Sequence, residues 1–166
     1  CGAYLAAIRS IGRTEEYFYM PVFESAAMIP PQTRREALTE VRAQLDTVSG
    51  SILNIRVGGN DLSHAFGLRR PANRTIYDLR PVADILIDIV AAFGTQYVVS
   101  GPVWEYYSGE GWEEGLRREM ELDLLNGFTG KTVIHPNQIP VVNEMLRVSQ
   151  RDYADARAIL NWDTGS

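Results

Sequence analysis

Residues 54–70 read NIRVGGNDLSHAFGLRR, and the reading of this stretch decides the fold. Ile52, Leu53, Ile55 and Val57 form an apolar run that reads as a buried strand, ending in Gly58, Gly59, Asn60 and Asp61. A chain places two glycines, an amide and a carboxylate after a strand at a turn, at a ligand site, or at both. His64, in a helix-like turn beyond it, reads as a surface residue.

Working outward, the pattern alternates. Ala3 to Arg13 has helical spacing, and YFYMPVF (residues 17–23) reads as a strand. Thr33 with Glu36 has the form of a capping box opening a helix through about Val48. After the polar loop with Pro71, Asn73 and Arg74, Asp78 is placed to cap a helix with Val82, Ile85, Leu86, Ile89 and Val90 on its apolar face, stopping near Gly94. QYVVS (96–100) is a third strand, Glu113 to Asn126 a helix closed by Gly127, and KTVIHP (131–136) a fourth strand. Two short helices follow, the last capped by Ser149 with Asp152. Strands recurring at roughly 35 to 45 residues with helices between them define parallel βα units. Two architectures fit: a small open α/β sheet, slightly favoured by length, or the C-terminal half of a (β/α)8 barrel, which needs about 250 residues when complete.

Composition narrows the classes. At 166 residues, 45% hydrophobic and 22% charged, the chain can bury a core as one domain. A formal charge of −5 argues against a nucleic-acid surface. The single Cys, Cys1, leaves no intrachain disulfide and fits a reducing cytoplasm. No apolar run reaches the roughly 20 residues of a membrane span. The sequence opens on Cys1 in what reads as a helix, as a fragment would.

In parallel α/β folds the active face lies at the C-terminal strand ends. Glu24 follows the first strand, Asp61 the second, Ser100, Trp104 and Glu105 the third, and His135, Asn137 and Gln138 the fourth. Carboxylates on successive strand ends can converge on Mg²⁺, which takes one or two of them and completes its shell with water and substrate oxygens. Gly58 and Gly59 would let backbone N–H groups approach an anion. Each residue also has a plainer reading. Glu24 and Asp61 could be cap or turn carboxylates, and His135 before Pro136 a structural histidine. Trp104, Tyr106 and Tyr107 could form a packed loop. The TRRE and LRREME runs read as solvated helix faces, and Arg69, Arg70 and Arg74 as an anion site or a surface loop.

MPVFESAAMI (20–29) resembles the Glu-bearing strand end of the HpcH/HpaI aldolase and citrate lyase β-subunit family. VGGNDLSHAFGL (57–68) resembles that family's second metal motif, and NGFTGKTVIHPNQIPVVNEML (126–146) its last barrel strand. VVSGPVWEYY (98–107) is similar to a divergent branch of carbon–carbon bond lyase-like proteins linked to tellurite-resistance clusters. The resemblance reverses the architectural choice and implies a TIM barrel, with this chain supplying roughly strands five to eight. The family's substrate-gripping Arg lies in the other half and has no counterpart here.

The resemblance also implies a Mg²⁺-dependent lyase or aldolase, with Mn²⁺ as the alternative ion, that holds the enolate of a small oxo- or hydroxy-acid. Glu24 and Asp61 would hold the metal; Gly58, Gly59, Asn60, Trp104 and His135 would line the substrate site; no general base is assigned. The competing readings are an acyl-CoA lyase of the citrate lyase or malyl-CoA kind and a non-catalytic barrel-derived binding subunit. Expected partners are a small acid and further copies of the chain, with no nucleic acid or membrane. The alternative aldolase strategy needs a Schiff-base Lys. The only Lys, Lys131, is expected to precede its strand and lie at the end opposite Asp61.

Overall fold

The structure, a computed structural model, describes residues 17–162 together with residues 3, 6, 7, 10 and 11. The helix expected over Ala3–Arg13 lies outside that continuous stretch. Four strands, β1 (Val22–Phe23), β2 (Ile55–Val57), β3 (Val99–Gly101) and β4 (Gly130–Lys131), form one parallel sheet in the order β1-β2-β3-β4. Within residues 17–162 six α-helices accompany them: α1 (Pro31–Asp46), α2 (Gly59–Ala65), α3 (Arg80–Phe93), α4 (Trp112–Leu125), α5 (Gln138–Met145) and α6 (Gln150–Leu160).

Strand parity separates two faces. Phe23, Ile55, Val57 and Val99 pack with Leu38 and Leu45 of α1, with Val82, Ile85, Leu86, Ile89 and Phe93 of α3, and with Phe128. The other parity is less covered: Val22 is 43% and Val98 46% exposed, although Ser100 is buried. A strand order that follows the sequence, with helices against one face, is the arrangement of a barrel wall; an open doubly wound sheet reverses its order and is covered on both faces. A second core under α4 and α5 joins Trp104, Leu116, Met120, Val141 and Val142.

The elements sit where expected, with different ends, except that the fourth strand, expected over 131–136, is Gly130–Lys131, and residues 132–136 form the loop and turn that follow it. Helix α1 begins on Pro31 rather than on a Thr33 cap, because the Thr33 hydroxyl donates back to the carbonyls of Ala27 and Pro30. The capping box is Thr75 with Asp78: the Thr75 N–H and hydroxyl both donate to the Asp78 carboxylate, closing a 3-10 turn at residues 76–78 before α3 starts. Strand β3 starts late because the N–H groups of Gln96 and Tyr97 both close on the Phe93 carbonyl. It stops at Gly101 because Pro102 has no N–H for the ladder. Gly127 ends α4 at φ +91°, and the Asp152 N–H donates to the Ser149 hydroxyl at 3.0 Å, as the last cap requires.

Candidate functional site

The segment directly after β2 is a seven-residue helix where a turn was expected, and the polar loop with Pro71, Asn73 and Arg74 follows it. Gly58 caps α2, the Leu62 N–H donates to the Gly58 carbonyl, and Asp61 stands in the first turn. Glu24 directly follows β1. Phe23 pairs with Val57, so the next residues, Glu24 and Gly58, are neighbours across the sheet at its C-terminal end. A Cβ built on Gly58 would fall on the Glu24 carboxylate and 2.5 Å from its Cβ. The Glu24 side chain therefore lies across a position that only glycine leaves open. Gly58 was expected to offer its N–H to an anion; instead that N–H donates to the Phe23 carbonyl at 3.0 Å. Gly59 is buried, and a Cβ there would stand 2.6 Å from both Ile76 Cδ1 and Pro102 Cβ. Its absence of a side chain lets α2 start pressed between the end of β3 and the 3-10 turn.

The other expected site residues are spread more widely. Asn60 is half-buried, and its Oδ1 accepts a long hydrogen bond, 3.4 Å, from the Arg70 guanidinium. Trp104 is fully buried; its indole N–H donates to the Trp112 carbonyl, and Arg70 lies over its ring at 4.9 Å. It supports the loop after β3 from inside and presents no surface. His135 stacks flat on Tyr107 with centroids 4.2 Å apart, and its Nδ1 accepts from the Asn137 N–H. Gln138, beside it in sequence, is the residue that fastens this corner: its amide donates to the carbonyls of Trp104 and Tyr106.

Sequence reading missed a buried ionic cluster beneath the site. Glu119 accepts from Arg70 at 2.5 Å, from Lys131 at 2.9 Å and from the Ile76 N–H at 2.8 Å. Lys131 also donates to Asp123 at 2.7 Å, and Asp123 accepts from the Tyr77 hydroxyl at 2.8 Å. Burial pushes the Asp123 carboxyl up from its ordinary range, against the pull of Lys131. Burial and the neighbouring Asp123 hold the Tyr77 phenol neutral. Lys131 does not precede its strand: it is the second residue of β4, paired with Gly101, at the same end of the sheet as Asp61. What withdraws its amine from imine chemistry is enclosure between two carboxylates, with no side-chain surface exposed. Nor is the LRREME run a solvated face, since Glu119 and Met120 are buried. The signal was present: Leu116, Glu119, Met120 and Asp123 fall at i, i+3, i+4 and i+7, which places two carboxylates on an apolar stripe.

Those acids have partners; Glu24 and Asp61 do not. Both are exposed, and among the described residues neither carboxylate makes a hydrogen bond or ion pair. No cluster of three or more His, Cys, Asp or Glu able to hold a metal occurs among the described residues. Such a pair of carboxylates, just beyond adjoining strand ends, would suit Mg²⁺, an ion that keeps several waters and takes one or two protein carboxylates. It does not suit a dedicated all-protein cage.

A parallel sheet wound in sequence order, with its polar groups at the C-terminal strand ends, defines a TIM-barrel wall. Comparison with known proteins agrees. The chain belongs to the family described as C-C_Bond_Lyase of the TIM-Barrel fold, whose profile matches residues 1–166. It is 38% identical over 74 residues to L-malyl-CoA/beta-methylmalyl-CoA lyase of Cereibacter sphaeroides, covering 43% of this chain and 22% of that protein. RipC from Yersinia pestis superposes with a TM-score of 0.65 at 16% identity, over 91% of this chain and 61% of its own. CitE from Mycobacterium tuberculosis, solved with magnesium and acetate, superposes with a TM-score of 0.51 at 22% identity, over 93% and 60%. The chain therefore spans about three fifths of these solved structures and about a fifth of the curated lyase.

Proposed function

We propose that the protein is a carbon–carbon bond lyase of small oxo- or hydroxy-acids, and that Glu24 and Asp61 hold its Mg²⁺. The observation that carries this reading is the Glu24 carboxylate lying across Gly58, unpartnered, one strand away from the equally unpartnered Asp61. Breaking a carbon–carbon bond beside a carbonyl leaves negative charge on a substrate oxygen, which a bound Mg²⁺ stabilises as a Lewis acid. Glu24 and Asp61 fix where that charge is met. Gly58 admits the Glu24 side chain, and Gly59 and Asn60 hold the start of α2, whose first turn carries Asp61. His135 stands at the rim, on Tyr107. Family membership supports the lyase class, and the magnesium in the CitE structure supports the choice of ion; Mn²⁺ is the expected substitute.

The test is cleavage of a panel of oxo- and hydroxy-acids by the full-length protein. Activity on at least one acid should vanish with EDTA, return with Mg²⁺ or Mn²⁺, and fall at least a hundredfold in Glu24→Gln. Activity indifferent to EDTA would sink the metal-dependent reading. A second reading, cleavage of an acyl-CoA substrate, is favoured by the match to malyl-CoA lyase. Saturable coenzyme A binding by the full-length protein would select it.

A further inference from the structure

The open face of the sheet carries an unexpected set of side chains. Barrel interiors are filled mainly by bulky branched residues. Here Arg56, Ser100 and Gly130 form one cross-strand row, with Val22 at its end. Asn54, two residues before Arg56, donates to the Ser100 hydroxyl at 2.9 Å, and its Oδ1 is buried with no hydrogen bond. Thr132, beyond Gly130, accepts from Arg56 Nε at 3.3 Å. A Cβ on Gly130 would stand 2.7 Å from the Ser100 hydroxyl, so the row is kept open at that point. Arg56 itself is half-buried. Its two terminal nitrogens make no hydrogen bond, and no carboxylate lies within ion-pair distance, among the described residues.

We infer that Arg56 is the binding residue for a second anionic group of the substrate, one strand row deeper than the metal. Resting on the proposed function, this narrows the substrate to an acid with two anionic ends. Glu24 and Gly58 share the face of Arg56 two residues further along, about 6.6 Å at the usual strand rise. The Nε–Thr132 bond engages one edge of the guanidinium and leaves both terminal nitrogens unengaged, and such a planar fork takes a carboxylate or phosphate through paired bonds. A half-buried guanidinium with no carboxylate partner among the described residues, on a wall that also carries Asn54, Ser100 and Thr132, leaves an anion as the missing member of the pair.

The test uses the full-length protein and two probes with the same oxo-acid head, 2-oxoglutarate and 2-oxobutyrate, with Mg²⁺ and with EDTA. Wild type should bind 2-oxoglutarate at least tenfold tighter, and Arg56→Gln should bring the two within twofold without changing Mg²⁺ affinity or 2-oxobutyrate binding. Arg56→Lys should keep part of the preference. In EDTA both probes weaken, yet the Arg56-dependent preference should persist. Failure of Mg²⁺ to bind overturns the metal reading alone, since the preference is still read in EDTA. A preference absent from wild type, or untouched by Arg56→Gln, overturns the inference. So does a large loss of thermal stability in Arg56→Gln with no preference to lose, which would make Arg56 an internal ion-pair partner.

Discussion

Replacing Lys131 with Met should destabilise the protein by about 3–5 kcal/mol at neutral pH, the usual cost of removing one partner from a buried ion pair. The wild-type cluster is balanced: Arg70 and Lys131 face Glu119 and Asp123, with the side chains of all four 3% exposed or less. Without the amine, two buried carboxylates share one guanidinium. Met matches the length of the apolar stem, so packing loss is small beside the charge term. The sign of the pH dependence follows from Asp123, whose carboxyl already sits above its ordinary range. With the folded value raised, the folded state binds more protons than the unfolded chain. The penalty is therefore largest above the folded value and recedes as pH falls below it. Lys131→Met with Asp123→Asn should recover most of the loss, because Arg70 and Glu119 remain paired and Tyr77 can donate to the new amide. Urea unfolding of the four members of the cycle measures the coupling. A single variant as stable as wild type at neutral pH would contradict the buried cluster.

Gly58→Ala should cost the fold less and the site more. Gly58 has φ −83° and ψ 66°, the inverse γ-turn region, which Ala can adopt. The added methyl meets the Glu24 carboxylate and also stands 2.5 Å from Glu24 Cβ. Rotation carries the carboxylate away, but the Cβ moves only with its backbone, so the ends of β1 and β2 must part slightly, at a cost of about 1–3 kcal/mol. The carboxylate is then no longer across the turn. Mg²⁺ affinity should drop at least tenfold, with the melting temperature lowered but cooperative unfolding kept. Unaltered Mg²⁺ affinity would mean that the close fit of Glu24 over Gly58 has no part in metal binding.

What the sequence made legible follows from the kind of signal each feature leaves. Strand ends were readable because Phe23 and Val57 are apolar and the next polar groups, Glu24 and Asp61, interrupt short β-rich runs. The barrel itself was not readable from pattern, since periodicity gives βα units but not their order in the sheet; the resemblance of three motifs decided it. Helix α2 was hidden because Gly58 and Gly59 are turn residues by propensity, whereas here they admit Glu24 and the packed pair Ile76 and Pro102. Trp104 was assigned to the substrate site from its place after the third strand, although the plainer reading of an aromatic loop there is packing. Its burial depends on Gly115, where any Cβ would strike the indole ring, a contact that spacing does not reveal. The ionic cluster was overlooked because charge runs were judged as blocks. Read along the helix face instead, Glu119 and Asp123 stand out among Leu116 and Met120.

The most direct test of the metal site is calorimetric titration of Mg²⁺ and Mn²⁺ into the full-length protein and into Glu24→Gln and Asp61→Asn. One saturable site in wild type, lost in both variants, is the predicted result. Binding that is equal in all three proteins, or absent from all three, would contradict a metal held between these two strand ends.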